Sequence, residues 1–300
     1  TDYNGVNSGQ NLAEKRSAQE LKDEALKVAK EADIVIFVGG LNKSDFQDSE
    51  GHDRKSLGLP YNQDQLITDL LKVNKNLVFV NISGNAVAMP WVNQVPGIVQ
   101  GWFLGTEGGN ALASVLVGDV NPSGKLTFTF PARLEDNGAH AIGEFPGSKD
   151  VNYTESIFVG YRWTEIKKIK PLFAFGHGLS YTTFQYGKVT ADKTNMGQSD
   201  KISFSVKVKN TGKRDGFEVV QLYISDLKSY LPRPVKELKE FEKVFLKAGE
   251  EKTVTFTVNK TALSFFDDKK HEWVAEPGDF EAIVGASSAD IKSKVKFTLK

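Results

Sequence analysis

Asp33-Ile34-Val35-Ile36-Phe37-Val38-Gly39-Gly40 decides how the first half of the chain folds. A short, continuous run of β-branched and aromatic residues that ends in Gly-Gly reads as a buried parallel strand. Such a strand is covered on both faces and has no polar face to alternate with. The stretch before it is different. Residues 13–32 are rich in Ala, Leu, Glu and Lys, with Leu21, Ala25, Val28, Ala29 and Ala32 at helical spacing. The unit repeats downstream. Residues 62–73 place Leu66, Ile67, Leu70 and Leu71 on one helical face; residues 77–82 read as a strand, 97–102 as a shorter one and 111–117 as a helix. This alternation predicts an α/β fold, a mostly parallel sheet in a three-layer α/β sandwich. Ligand-binding residues then belong in the loops at the carboxyl ends of the strands, after Val38, Ile82 and Trp102.

After Phe184 the texture changes. Residues 202–208 and 254–258 alternate with period two, and 218–224, 280–284 and 295–299 read as further strands. Turn clusters such as Asn210-Thr211-Gly212 and Glu276-Pro277-Gly278-Asp279 separate them. About seven short strands in so short a stretch predict an all-β sandwich of immunoglobulin or fibronectin type. We therefore expect an α/β domain over 1–130, an aromatic-rich linker over 131–184 that packs against both domains, and a sandwich over 185–300.

Composition narrows the function classes. The 300 residues carry 38 Lys+Arg and 38 Asp+Glu, a balance that argues against a nucleic-acid binder or a polybasic membrane anchor. No apolar run approaches the ~18 residues of a membrane span. With no Cys and four scattered His, disulfides, a thiolate nucleophile and a zinc site are not expected. No Gly-x-Ser-x-Gly elbow and no phosphate-binding glycine loop occurs. No cofactor is expected.

Four stretches carry a stronger signal. They are Ser49-Glu50-Gly51-His52-Asp53-Arg54-Lys55-Ser56-Leu57-Gly58-Leu59-Pro60; Met89-Pro90-Trp91; Gly105-Thr106-Glu107-Gly108-Gly109-Asn110, continuing to Asn121-Pro122-Ser123-Gly124-Lys125-Leu126; and Phe158-Val159-Gly160-Tyr161-Arg162, followed by Pro171–Phe184 with its Phe-Gly-His-Gly-Leu-Ser-Tyr. In this order and spacing they resemble the C-terminal region of family-3 glycoside hydrolases, which include many β-glucosidases. The similarity runs from about residue 13 to the end. It implies an α/β sandwich domain followed by a fibronectin type III-like domain, the architecture that periodicity suggested independently.

The resemblance implies roles. The Glu of the family's Glu-Gly-x-Asp-Arg loop is commonly the general acid/base, so Glu50 inherits that role, with Asp45 and Asp48 as fallback candidates. A retaining glycosidase needs two carboxyl groups about 5 Å apart, one of which must give and later take a proton. The bland alternative for Glu50 is a solvated loop acid. Asp53 and Arg54 are expected to brace the loop. His52, Trp91 and Trp102 are substrate-binding candidates, although Trp also fills cores. His177 is expected to be a linker residue satisfied by backbone.

The family's nucleophile is an aspartate on a TIM-barrel domain, marked by a Ser-Asp-Trp-like stretch. These 300 residues contain none. Three explanations are open: a truncated piece, one chain of a split enzyme, or a stand-alone protein without catalysis. The leading expectation is the C-terminal part of a retaining exo-β-glycosidase acting on a β-linked glycoside or oligosaccharide. The barrel, as domain or separate chain, is the expected partner. This chain alone is expected to be inactive. The alternative is a non-catalytic carbohydrate-binding or assembly module. An enzyme half should expose apolar surface that a stand-alone module would cover. Location is open, with a periplasmic or extracellular setting slightly favoured over a cytoplasmic one.

Overall fold

A computed structural model of the chain describes residues 15–300. The start of the first expected helix, Ala13 and Glu14, lies outside the described residues, as does the polar stretch before it. The chain forms two compact units. The first runs to Leu112 and takes in Ala132–Leu134; the second comprises Ala113–Pro131 and Glu135–Lys300.

In the first unit, strands β1 (Val35–Gly40), β2 (Leu77–Ile82) and β3 (Gly97–Gln100) form a parallel sheet in the order β1-β2-β3. β2 lies in the middle, and Leu77, Phe79 and Val80 are fully buried. β1 departs from the expected burial on both faces. It is an edge of this sheet, and Ile36 and Val38 are 49% and 62% exposed.

Helix α1 (Ala18–Glu31) begins several residues later than its composition suggests, because Ser17 and Glu20 form a capping box. The Ser17 Oγ accepts the Glu20 N–H at 3.2 Å and the Ser17 N–H donates to Glu20 Oε2 at 2.7 Å, so two orphan donors are satisfied. Helix α2 (Gln63–Val73) packs beside α1. Lys22 of α1 and Lys72 of α2 both pair with Asp69, at 2.5 and 2.7 Å. Helix α3 spans Gly108–Val117.

The second unit contains the short helices α4 (Gly138–Ala141) and α5 (Tyr161–Ile166) and eleven strands. The strands are β4 (Phe184–Tyr186), β5 (Thr190–Ala191), β6 (Asn195–Met196), β7 (Lys201–Asn210), β8 (Gly216–Asp226), β9 (Glu237–Leu246), β10 (Glu251–Asn259), β11 (Phe265–Asp267), β12 (Glu272–Val274), β13 (Gly278–Gly285) and β14 (Ile291–Leu299). One sheet of the sandwich runs β10-β7-β4, with β5 also on β7, and its second sheet runs β6-β14-β13-β8-β9; β11 and β12 pair separately as a two-stranded antiparallel sheet. Their inner residues, including Phe204, Val206, Leu222, Phe256, Phe280 and Phe297, form one buried core. This is the expected β-sandwich. All five strands named from the sequence are present, as β7, β8, β10, β13 and β14. Strand β9 was not foreseen. It is an edge strand with half of its residues exposed and only Leu246 buried, so charged side chains interrupt its pattern.

Residues 135–184 belong to the second unit. The Phe130 N–H donates to the Phe173 carbonyl at 2.9 Å, Trp163 is buried, and Tyr161 stacks on Phe175 at 4.8 Å. Lys236 pairs with Glu165. Burial raises the Glu165 carboxyl above its usual range, and Lys236 opposes that shift. His177 donates its N–H to the Ala174 carbonyl, and its own carbonyl accepts from Leu126.

Candidate active site

The candidate residues sit in the three loops that leave the carboxyl ends of β1, β2 and β3. Gly39 and Gly40 explain the tight exit from β1. A Cβ on Gly40, at φ +130°, would lie 2.1 Å from the Ile82 carbonyl oxygen, and one on Gly39 would lie 2.4 Å from Gln63 Oε1. Into that space comes Gln63, which accepts the Gly40 N–H at 2.8 Å and donates to the Gly40 carbonyl at 2.9 Å.

The first loop then folds on itself. Asn42 Oδ1 accepts the Ser44 N–H, Gln47 Oε1 accepts the Asn42 N–H, and the Asp48 N–H returns to the Asn42 carbonyl at 3.0 Å. Gln47 Nε2 donates to the Tyr61 hydroxyl at 2.7 Å. Phe46 takes a left-handed φ of +62° in this turn, a conformation non-glycine residues rarely adopt.

Two side chains fix this loop to the second one. The Asp48 carboxylate accepts the Gly84 N–H at 2.6 Å and Asn85 Nδ2 at 2.5 Å. Arg54 Nη2 donates to the Ala86 carbonyl at 2.6 Å. Burial lowers the Arg54 pKa, and the Asp48 charge opposes that shift. Between these anchors Glu50, Gly51, His52 and Asp53 are all exposed. Gly51 turns there at φ +89°.

The second loop rests on a buried polar network. Asn81 Nδ2 donates to Ser83 Oγ at 2.9 Å and to Gln100 Oε1 at 2.6 Å; Gln100 Nε2 donates to the Ser83 carbonyl; Ser83 Oγ donates to the Asn85 carbonyl at 2.8 Å. The third loop closes over it. A Cβ on Gly84 would lie 3.0 Å from the Phe103 ring, and Lys43 Nζ sits 4.1 Å from that ring's centre. All three loops are thereby tied together.

The structure separates the sequence candidates. Glu50 is exposed and, among the described residues, makes no hydrogen bond or ion pair. His52 is exposed too; its Nδ1 lies 3.7 Å from Asp45 Oδ1 and its ring 4.8 Å from Phe46. Asp45 is exposed, whereas both Asp48 oxygens are engaged with the second loop. Asp53 is exposed beside Arg54. Trp102 is half-buried at φ +58°. Trp91 is only 1% exposed; its Nε1 donates to Asp64 Oδ1 at 2.8 Å and its ring meets Phe79 edge to face. That position leaves no open ring face for a sugar. The sequence reading did not foresee the Asp48 and Asn81 contacts. The only available hint was that Ser83-Gly84-Asn85 follows a strand.

Chemically, the arrangement offers exposed carboxyl groups on one loop, Asp45, Glu50 and Asp53, of which Glu50 lies in the stretch braced by Asp48 and Arg54 and makes no bond of its own among the described residues. It can give or take a proton at a molecule approaching the loops. Among the described residues no cluster of three or more His, Asp or Glu side chains is placed to hold a metal ion. No described helix is long and apolar enough to cross a membrane.

Residues 4–181 match the glycosyl hydrolase family 3 C-terminal domain, and residues 218–288 match the fibronectin type III-like domain. A β-glucosidase of Bacteroides ovatus is 56% identical over 280 residues, covering 92% of this chain and 38% of that protein. Thermostable β-glucosidase B of Acetivibrio thermocellus is 47% identical over 277 residues, 92% of this chain and 36% of that protein. Among solved structures, β-glucosidase from Kluyveromyces marxianus in complex with glucose matches with a TM-score of 0.89 at 41% identity, covering 96% of this chain and 34% of that one. The chain thus spans under two fifths of the length of these curated relatives.

Proposed function

This chain belongs to glycoside hydrolase family 3, and on that premise we propose that it supplies the general acid/base, Glu50, to a retaining exo-β-glycosidase of β-glucosidase type. The nucleophile is an aspartate on a TIM-barrel partner, either a further domain or a second chain. The substrate is a β-linked glycoside. The barrel carboxylate attacks the anomeric carbon while Glu50 protonates the departing oxygen. Glu50 then takes a proton from the water that releases the sugar.

The observation that carries this reading is the contrast within one loop. Asp48 and Arg54 are bonded down on either side, and Glu50 between them is held out in the open. The uncovered apolar side of β1, with Ile36 and Val38, supports an enzyme part over a stand-alone module, since a self-sufficient domain seldom leaves such a face in water. His52 and Trp102, on the same loop layer, are the side chains best placed to meet a sugar; Trp91 serves the core.

The test is the leaving-group dependence of Glu50→Gln in the active enzyme. For a phenyl β-glucoside, whose leaving oxygen needs a proton, kcat/KM falls ~10²–10⁴-fold. For a dinitrophenyl β-glucoside, whose oxygen leaves unaided, it is nearly unchanged. Equal losses on both substrates would rule Glu50 out as the acid.

A further inference from the structure

We infer that Asp48 is a positioning residue for the reaction: by holding Gly84 and Asn85 it fixes the place of the Glu50 carboxyl without touching the substrate. The inference rests on the role proposed for Glu50.

Asp48 lies two residues before Glu50, and Arg54 four residues after it. Both reach the same short segment, residues 84–86, and their three bonds are 2.5–2.6 Å long. The segment 49–53 is therefore a bridge between two posts on one foundation. The foundation is rigid for a stated reason. Asn85 offers its carbonyl to Ser83, and Ser83 is fixed by Asn81 and Gln100 in a network whose Asn81 and Ser83 are fully buried. A chain of bonds thus runs from the centre of the sheet to the exposed tip.

The residue types suit the task. An aspartate has two oxygens, and here each receives one donor from the second loop. Gly84 lets the carboxylate reach its backbone N–H, because a side chain there would lie 3.0 Å from Phe103 and 3.4 Å from Asp48 Oδ2. A carboxylate whose two oxygens both accept N–H bonds from the second loop is occupied in holding that loop, whereas Glu50 beside it makes no such bond. Displacing a reacting group by about 1 Å can cost ~10²-fold in rate, so the post next to Glu50 should show in the chemistry and not only in stability.

The experiment compares Asp48→Ala, Asp48→Asn, Glu50→Gln and the Asp48→Ala/Glu50→Gln double variant in the active enzyme, with phenyl and dinitrophenyl β-glucosides. Asp48→Ala is expected to lower kcat/KM for the phenyl glycoside ~10–100-fold, with a much smaller loss for the dinitrophenyl glycoside. Asp48→Asn, which keeps an acceptor oxygen, recovers part of that loss. The double variant is no slower than Glu50→Gln, because a misplaced acid and a missing one cost the same step. Should Asp48→Ala not fold, Asn85→Ala removes one donor of the pair and is expected to show the same selective loss. Equal losses with both leaving groups, no loss in either, or full additivity in the double variant would overturn the inference while leaving Glu50 in its role. A leaving-group signature in Asp48→Ala but not in Glu50→Gln would instead transfer the acid role to Asp48 and sink both readings.

Discussion

Gly40 shows how much a single position decides. Its φ of +130° and the 2.1 Å approach of the Ile82 carbonyl leave no room for a methyl group. Gly40→Ala is expected to cost about 2–3 kcal/mol from backbone strain and overlap, at the upper end for single substitutions outside the core. A thermal or urea melt measures it; a midpoint within experimental error of the parent would mean that the strand exit is looser than described. The Gly-Gly was legible in the sequence, and Glu50 was legible as a candidate, because the motif around it named its type and its neighbours. The two tryptophans were not separable. Trp91 and Trp102 both follow a strand, yet one is sealed by Phe79 and Asp64 and the other is half-open. Loop residues obey no period, so nothing local says which way a ring will turn. Trp91→Ala should therefore act on stability, by about 3–5 kcal/mol, as a denaturant melt reads.

At the scale of elements, the helix pair carries a pH signature. Asp69 is held well below the usual carboxylate range, first by the bond from Lys22, then by those from Lys72 and Gln65. A carboxyl depressed in the folded state contributes stability that is fully present above its unfolded value, about 3.9. That contribution is lost as pH falls through the folded value. Asp69→Asn should accordingly melt lower than the parent at neutral pH, with the gap narrowing only below about pH 4. A gap that stays constant down to acid denaturation would show that the ion pairs contribute nothing. The longer helices and the core strands were readable, because periodicity is local; the Ser17–Glu20 cap was passed over, so the start of α1 was set too early, and the short α4 and α5 were not foreseen. Strand β9 was not, since an edge strand owes its place to β8 rather than to its own alternation. The ties among the three loops were equally hidden. Asp48 meets Gly84 and Asn85 across 36 and 37 residues of sequence, and no local pattern encodes such a pairing.

Across the whole molecule, two textures of sequence became two folds: a parallel α/β sheet, then a β-sandwich. That division was legible because the apolar period changes from helical and continuous to strict alternation. The family was legible because four motifs stand in order. The catalytic pairing was not, because in the proposed function the second carboxylate belongs to a barrel outside these 300 residues. This chain by itself is thus expected to hydrolyse aryl β-glucosides no faster than background; turnover by it alone that disappears in Glu50→Ala would place a nucleophile within the chain. The most direct test of the central claim is azide rescue of Glu50→Ala in the active enzyme, turning over a dinitrophenyl β-glucoside. If Glu50 is the acid/base, azide needs no base to attack the glycosyl-enzyme. Turnover then rises with azide concentration and the product is the β-glycosyl azide, its configuration retained. No acceleration in Glu50→Ala, with rescue appearing instead in Asp45→Ala or Asp48→Ala, would contradict the account.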